Sequence, residues 1–141
     1  MTKLFLALAL LIPTLASAGP DRVYVMAGSK HLNTVYEFNE INPGVFLTWE
    51  ESMLDFTVGG YINSYSKTSL AVSVAYPILR GENYSVDVFA GLATYFDTSR
   101  PDILPMAGIQ GRLGPVFVQY IPTPGNYVDG IVSFGMTFDL N

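Results

Sequence analysis

Cysteine is absent, so a domain of this size must be stabilised without disulfides. Histidine occurs once, as His31. With one histidine and no cysteine there is no metal-ligand spacing, and no metal is expected. Charge is scarce as well: 13% of the chain is charged, about half the usual share of roughly 25%. Half of it, 50%, is hydrophobic. A small soluble domain must cover most of its surface with polar groups, and this chain is short of material for that. Setting aside Lys3, six Lys and Arg face twelve Asp and Glu, a net charge of −6. That balance argues against a nucleic-acid partner, which needs a basic face. No phosphate loop or dinucleotide motif is present, and no cofactor is expected. Nor does any stretch after Gly19 carry a helical apolar period.

What is there begins with a leader. Lys3 gives a positive start, Leu4 to Ile12 is apolar but too short to cross a bilayer, and Ala16-Ser17-Ala18 is an A-x-A cleavage signal. Residues 1–18 therefore read as a secretory signal peptide. The mature chain, 19–141, is expected to form one domain.

Period-two alternation recurs through that domain, broken by turn residues. The runs are Arg22 to Lys30, Gly44 to Glu50, Leu54 to Asn63, Ser69 to Ile78, Tyr84 to Phe96, Ile103 to Leu113, Val116 to Ile121 and Ile131 to Leu140. Their phase is informative. Leu70, Val72, Val74, Tyr76 and Ile78 share one face, opposite Ala71, Ser73 and Ala75. Val132, Phe134, Met136, Phe138 and Leu140 oppose Ser133, Gly135, Thr137 and Asp139. One face is large and apolar, and the other is small or polar. In a soluble eight-stranded barrel the apolar face points inward and the outer face needs charge. Here the second face is too weakly charged for water. Turned the other way, with apolar residues against lipid and small or polar ones in a narrow lumen, the pattern works. The predicted fold is an all-β, eight-stranded antiparallel transmembrane barrel, monomeric, in the outer membrane of a Gram-negative cell. A secreted lipocalin-like carrier is the structural rival.

The densest polar stretch runs from Ser29 to Gly44 and holds His31, Asn33, Glu37, Asn39, Glu40 and Asn42. It is expected at the barrel rim, meeting a second polar knot at Asn63-Ser64-Tyr65. His31 could act as general base for Ser64 as nucleophile. The orienting partner of the imidazole would be Asn63 or a rim carboxylate, Glu37 or Glu40.

Several short segments, taken in order, resemble the lipid A palmitoyltransferases of Gram-negative outer membranes. They are the His31 stretch, Asn39-Glu40-Ile41-Asn42-Pro43-Gly44, Tyr61 to Lys67, Leu104 to Gly108, Gly114-Pro115-Val116-Phe117 and Tyr120-Ile121-Pro122. The resemblance implies an eight-stranded barrel that moves an acyl chain from a phospholipid to lipid A. By motif it assigns the catalytic His to His31 and the Ser to Ser64, while the family's Asp position holds Asn63. It also implies sideways lipid entry where prolines interrupt strand pairing, here Pro43, Pro105 and Pro122. The amphipathic helix that opens such proteins has no counterpart in Gly19 to Asp21. Two other activities remain open at this point: a non-catalytic barrel serving membrane integrity or surface interaction, and a lipid A deacylase-like hydrolase.

Overall fold

The computed structural model describes residues 19–123 and 128–140; the leader expected over 1–18 lies outside them. Eight strands follow one another: β1 Arg22–Leu32, β2 Ile41–Glu50, β3 Asp55–Ile62, β4 Thr68–Arg80, β5 Tyr84–Thr94, β6 Ile103–Leu113, β7 Val116–Pro122 and β8 Gly130–Asp139. Each pairs antiparallel with its sequence neighbours, and β1 pairs with β8, which closes the sheet into a barrel. Closure leaves no free sheet edge. Short turns (51–54, 81–83, 114–115) lie at one end, and the connections 33–40, 63–67 and 95–102 at the other.

The alternation read from the sequence sets the two faces. Val72, Tyr76, Val88, Leu92, Ile109, Val118, Phe134 and Met136 are exposed on the outside of the barrel. Ala71, Ser85, Asp87, Phe89, Ala93 and Thr137 are buried inside it. Most strand charges are on the inside too, gathered at the short-turn end. Arg22 donates from Nε to Glu50 Oε1 at 2.9 Å and also pairs with Asp139. Arg80 pairs with Asp55 and stands 3.7 Å from Asp87 Oδ1, and Ser85 Oγ donates to Asp87 Oδ2 at 3.0 Å. These groups close that end of the lumen with an ionic layer.

Above them the middle of the lumen is filled by rings. Tyr24 meets Phe117 edge-on with centroids 5.0 Å apart, and Met26, Phe46 and Tyr61 pack beside them. An eight-stranded barrel is just wide enough for side chains to fill, and here neighbours take up the space that small residues free. At Gly59 an added Cβ would stand 2.4 Å from Phe46 Cδ1 and 2.3 Å from Val45 O, so the glycine is what lets the Phe46 ring lie where it does.

Two irregularities matter for the rim. In β1 the register shifts between Met26 and Gly28: against β8 Ala27 is an extra residue, and against β2 it faces two residues, Asn42 and Pro43. Arg22, Tyr24 and Met26 are buried before this bulge, and Ser29 and His31 after it. Without the bulge, strict alternation would carry His31 to the outer face. In β6, pairing with β5 runs the whole length, but pairing with β7 covers only Ile109 to Leu113. The part of β6 that holds Pro105 thus has no ladder on its β7 side, consistent with the missing proline N–H.

The ionic layer yields a stability prediction. Arg80→Ala leaves Asp55 buried without its cation, and Asp87 with only the more distant Arg112. Such uncompensated charge costs about 3–5 kcal/mol when fully buried, and about 2–4 kcal/mol here because the Arg80 side chain is 32% exposed. Equilibrium urea unfolding measures it, and the triple change Arg80→Met, Asp55→Asn, Asp87→Asn should recover most of the loss.

Candidate active site

At the long-loop end, two loops are drawn together by two buried asparagines. Asn42 accepts from Ser29 Oγ at 2.5 Å and donates from Nδ2 to the carbonyls of Asn39 and Ile62 at 3.2 and 3.0 Å. It thereby ties β1, the loop between β1 and β2, and the end of β3. Asn63 is fully buried. Its Oδ1 accepts from the backbone N–H of Tyr65 and of Lys67 at 2.9 and 3.1 Å, and its Nδ2 donates to Ser69 Oγ at 2.9 Å. This shapes the turn 63–67, in which Ser66 takes the left-handed region at φ 59°. Backbone contact completes the joint: Asn39 N donates to Ser64 O at 3.0 Å.

The result is that His31 and Ser64, 33 positions apart, meet: Ser64 Oγ and His31 Nε2 are 3.0 Å apart. This is hydrogen-bond distance for a nucleophile and its base. The His31 side chain is buried and stacks on Phe38, with ring centroids 4.2 Å apart and 20° between planes. Its Nδ1 is buried and has no hydrogen-bond partner. The acidic group facing it is Glu40, with Oε1 4.0 Å from Nδ1. That same oxygen accepts from the His31 backbone N–H at 3.2 Å, while Oε2 accepts from Lys30 Nζ at 3.0 Å. The Lys30 ammonium, helped by the His31 N–H, holds the Glu40 carboxyl below its ordinary range, so it is an anion at neutral pH. Gly28 makes this approach possible: a Cβ there would lie 2.6 Å from Glu40 O.

Of the three site residues expected from the sequence, the structure brings His31 and Ser64 together. Asn63, adjacent to Ser64 in sequence, has its amide committed to the turn and to Ser69, with none of its hydrogen bonds going to His31. The carboxylate alternative, Glu40, is the one the fold sets beside the imidazole. Glu37 makes no contact with it. In the tautomer with the proton on Nδ1, Nε2 accepts from Ser64 and Nδ1–H faces the Glu40 charge. The line Ser64–His31–Glu40 then has the roles of nucleophile, base and orienting carboxylate, the last at longer range than a hydrogen bond.

Ser64 stands at the border of two spaces. Below it the lumen keeps a cavity of about 110 Å³, lined by Tyr24, Phe46, Tyr61, Phe89 and Phe117 among others. Above it lies a vestibule of about 630 Å³ between the loops. Small-molecule sites measure roughly 300–1,000 Å³. The vestibule falls in that range, and the lumen cavity has room only for a short apolar tail. Tyr65, from the expected polar knot, belongs to this site together with Tyr95, and with Phe38 and Arg100, which were not legible beforehand. Phe38 and Tyr65 lie 6.0 Å apart edge-on, Tyr65 and Tyr95 6.2 Å, and Arg100 Nε donates to Tyr65 Oη at 3.0 Å. No periodicity marks them, because they sit in loops.

No protein-family model matches the chain, and no curated protein matches it.

If Asn63 is structural, Asn63→Ala loses the groups that satisfy two backbone N–H donors and should cost about 1–3 kcal/mol. Asn63→Asp keeps those acceptors but removes the donor to Ser69, and should destabilise the barrel without improving any reaction at Ser64. Paired unfolding and activity measurements on both variants check this; a gain in rate for Asn63→Asp would return Asn63 to the catalytic group.

Proposed function

We propose that the protein is an outer-membrane acyltransferase that takes an acyl chain from a phospholipid and passes it to a lipid A hydroxyl. The observation that carries the reading is the 3.0 Å approach of Ser64 Oγ to His31 Nε2 at the border between a mainly apolar lumen cavity and a vestibule of mixed aromatic, polar and charged lining. An ester whose chain enters the lumen while its headgroup stays in the vestibule would place its carbonyl at Ser64. The resemblance of the His31 and Ser64 segments to lipid A palmitoyltransferases supports the same reading.

Membrane residence is supported by the belt of exposed apolar side chains, which includes Val72, Val88, Ile109, Val118 and Phe134. An exterior of this kind is costly in water and suits hydrocarbon. The unpaired side of β6 at Pro105 supports entry of a chain from the side. Pro43 lies where the β1–β2 register shifts, between Met26↔Gly44 and Gly28↔Ile41.

The steps are those of a serine nucleophile. Ser64 Oγ attacks the ester carbonyl as His31 Nε2 takes its proton. The tetrahedral adduct collapses, the C–O bond to the leaving alcohol breaks, and His31 returns the proton to that alcohol. The acceptor hydroxyl then gives its proton to His31 and attacks the acyl-serine, forming the new ester and freeing Ser64. Glu40 stabilises the imidazolium present in both halves. Water in place of the acceptor would make the outcome hydrolysis. A small lumen cavity favours a chain shorter than palmitoyl, or one admitted only after the lumen rings move.

Mass spectrometry of lipid A and phospholipids from Gram-negative cells expressing the protein tests the reading. A gain of one acyl group on lipid A is expected; a loss would indicate a hydrolase, and no change at good expression would leave a barrel without this catalysis. His31→Ala and Ser64→Ala should each reduce turnover by about 10²-fold or more without affecting folding. Glu40→Gln should reduce kcat by about tenfold, well short of the roughly 10⁴ seen for a fully engaged triad carboxylate. Membrane residence has its own check: Val88→Arg should cost about 2–4 kcal/mol of insertion stability if it lies near the midplane, read as loss of folded barrel in liposomes.

A further inference from the structure

The vestibule above Ser64 carries two charged side chains that have no ion-pair partner among the described residues. Arg100, from the loop between β5 and β6, lines it, and so does Glu37, from the loop between β1 and β2. Among the described residues Arg100 forms no ion pair; its single side-chain bond is Nε to Tyr65 Oη at 3.0 Å, so both Nη nitrogens lack a protein partner. Glu37 has neither an ion pair nor a hydrogen bond. Of the other rim charges, Lys30 pairs with Glu40 at 3.0 Å and Asp129 accepts from Asn33 at 2.5 Å, while Lys67, Asp97 and Asp102 are not among the residues that line the vestibule.

Arg100 is held in place. Its anchor Tyr65 is fixed edge-on between Phe38 and Tyr95, and Tyr95 Oη is 3.1 Å from Tyr61 Oη inside the barrel. Tyr36, Phe38 and Tyr65 also line the vestibule. One fixed guanidinium, one carboxylate and three aromatic rings in one space of about 630 Å³ complement a ligand with one phosphate and one ammonium. The guanidinium fork suits phosphate oxygens. The carboxylate and ring faces suit an ammonium. A headgroup that is only anionic would leave Glu37 unpaired next to its own charge. A sugar bearing two phosphates would bring two anions to one cation.

We propose that the vestibule is a binding subsite for the headgroup of a zwitterionic phospholipid, with the phosphate at Arg100 and the ammonium at Glu37. It deepens the acyl-transfer reading by naming the donor that Ser64 meets, and it rests on that reading only in taking the ligand to be an ester lipid. The subsite makes the protein discriminate by headgroup, and the discrimination resides in two loop residues separate from His31 and Ser64.

The test is made on the full-length Ser64→Ala protein in uncharged detergent micelles, which binds without turning over. Titration calorimetry compares dihexanoyl phosphatidylethanolamine, dihexanoyl phosphatidylglycerol, O-phosphoethanolamine and inorganic phosphate. The ethanolamine lipid should bind about tenfold more tightly than the glycerol lipid, as one additional charge-assisted contact implies. Adding Arg100→Gln should weaken both lipids about tenfold, and adding Glu37→Gln should bring the two lipids to equal affinity. Glu82→Gln, at the opposite end of the barrel, should change neither. Equal binding of the two lipids by the parent, or no effect of Arg100→Gln, overturns the proposal. O-phosphoethanolamine binding as tightly as the lipid would overturn the lipid assignment in favour of a soluble phosphate ester. Selective binding together with no acyl transfer by the Ser64 protein would keep the subsite and remove the enzyme reading; transfer without selectivity would do the opposite.

Discussion

Eight antiparallel strands closed by the pairing of β1 with β8 enclose a space only about one layer of side chains wide. Every inward position is therefore contested, and the whole molecule follows from how that narrow space is shared. At the short-turn end it goes to charges, which are stable there only as the linked pairs of Arg22 and Arg80 with their carboxylates. In the middle it goes to rings, seated where glycines such as Gly59 yield the room. At the long-loop end it goes to hydrogen-bonded polar groups, because a buried polar side chain without partners would be costly.

The rim depends on that last choice. Asn42 and Asn63 are among the most buried side chains in the barrel; Asn42 ties backbone from separate segments, and Asn63 holds the backbone of its own turn and reaches β4 through Ser69 Oγ. Amides suit this task because each offers donors and an acceptor at once. What they hold in place is the contact of His31 with Ser64 and the approach of Glu40. The asparagine expected to orient the histidine instead builds the turn that presents the serine. The carboxylate comes from the loop after β1, and its charge is kept by Lys30.

The division of the interior also bears on the substrate. Ser64 borders a mainly apolar cavity of about 110 Å³ and a vestibule of about 630 Å³ that adds charged side chains to its aromatic rings. Reagents with one apolar and one polar end are sorted by such a border without any further device, and the apolar exterior is consistent with where such molecules collect. The larger share of recognition then falls on the loops, where Arg100 and Glu37 stand unpaired, rather than on the lumen.

The amino-acid sequence by itself determined the number of strands, their order and which face of β4, β5 and β8 points outward. Period-two patterning is local, and scarce charge with abundant apolar residues leaves the small face no place but inside. The predicted runs match the strands closely, with the largest difference at β2, which begins three residues earlier; β1 and β4 run two residues further than expected and β5 ends two residues earlier. His31 and Ser64 were legible as chemistry. Their meeting was not, since one extra residue, Ala27, reverses the parity of β1 and turns His31 inward, and nothing in the local pattern announces a bulge. Nor could the sequence choose between Asn63 and Glu40 as partner of the imidazole. That choice is made by distance and by competing hydrogen bonds across three segments, and such competition exists only once the barrel is closed.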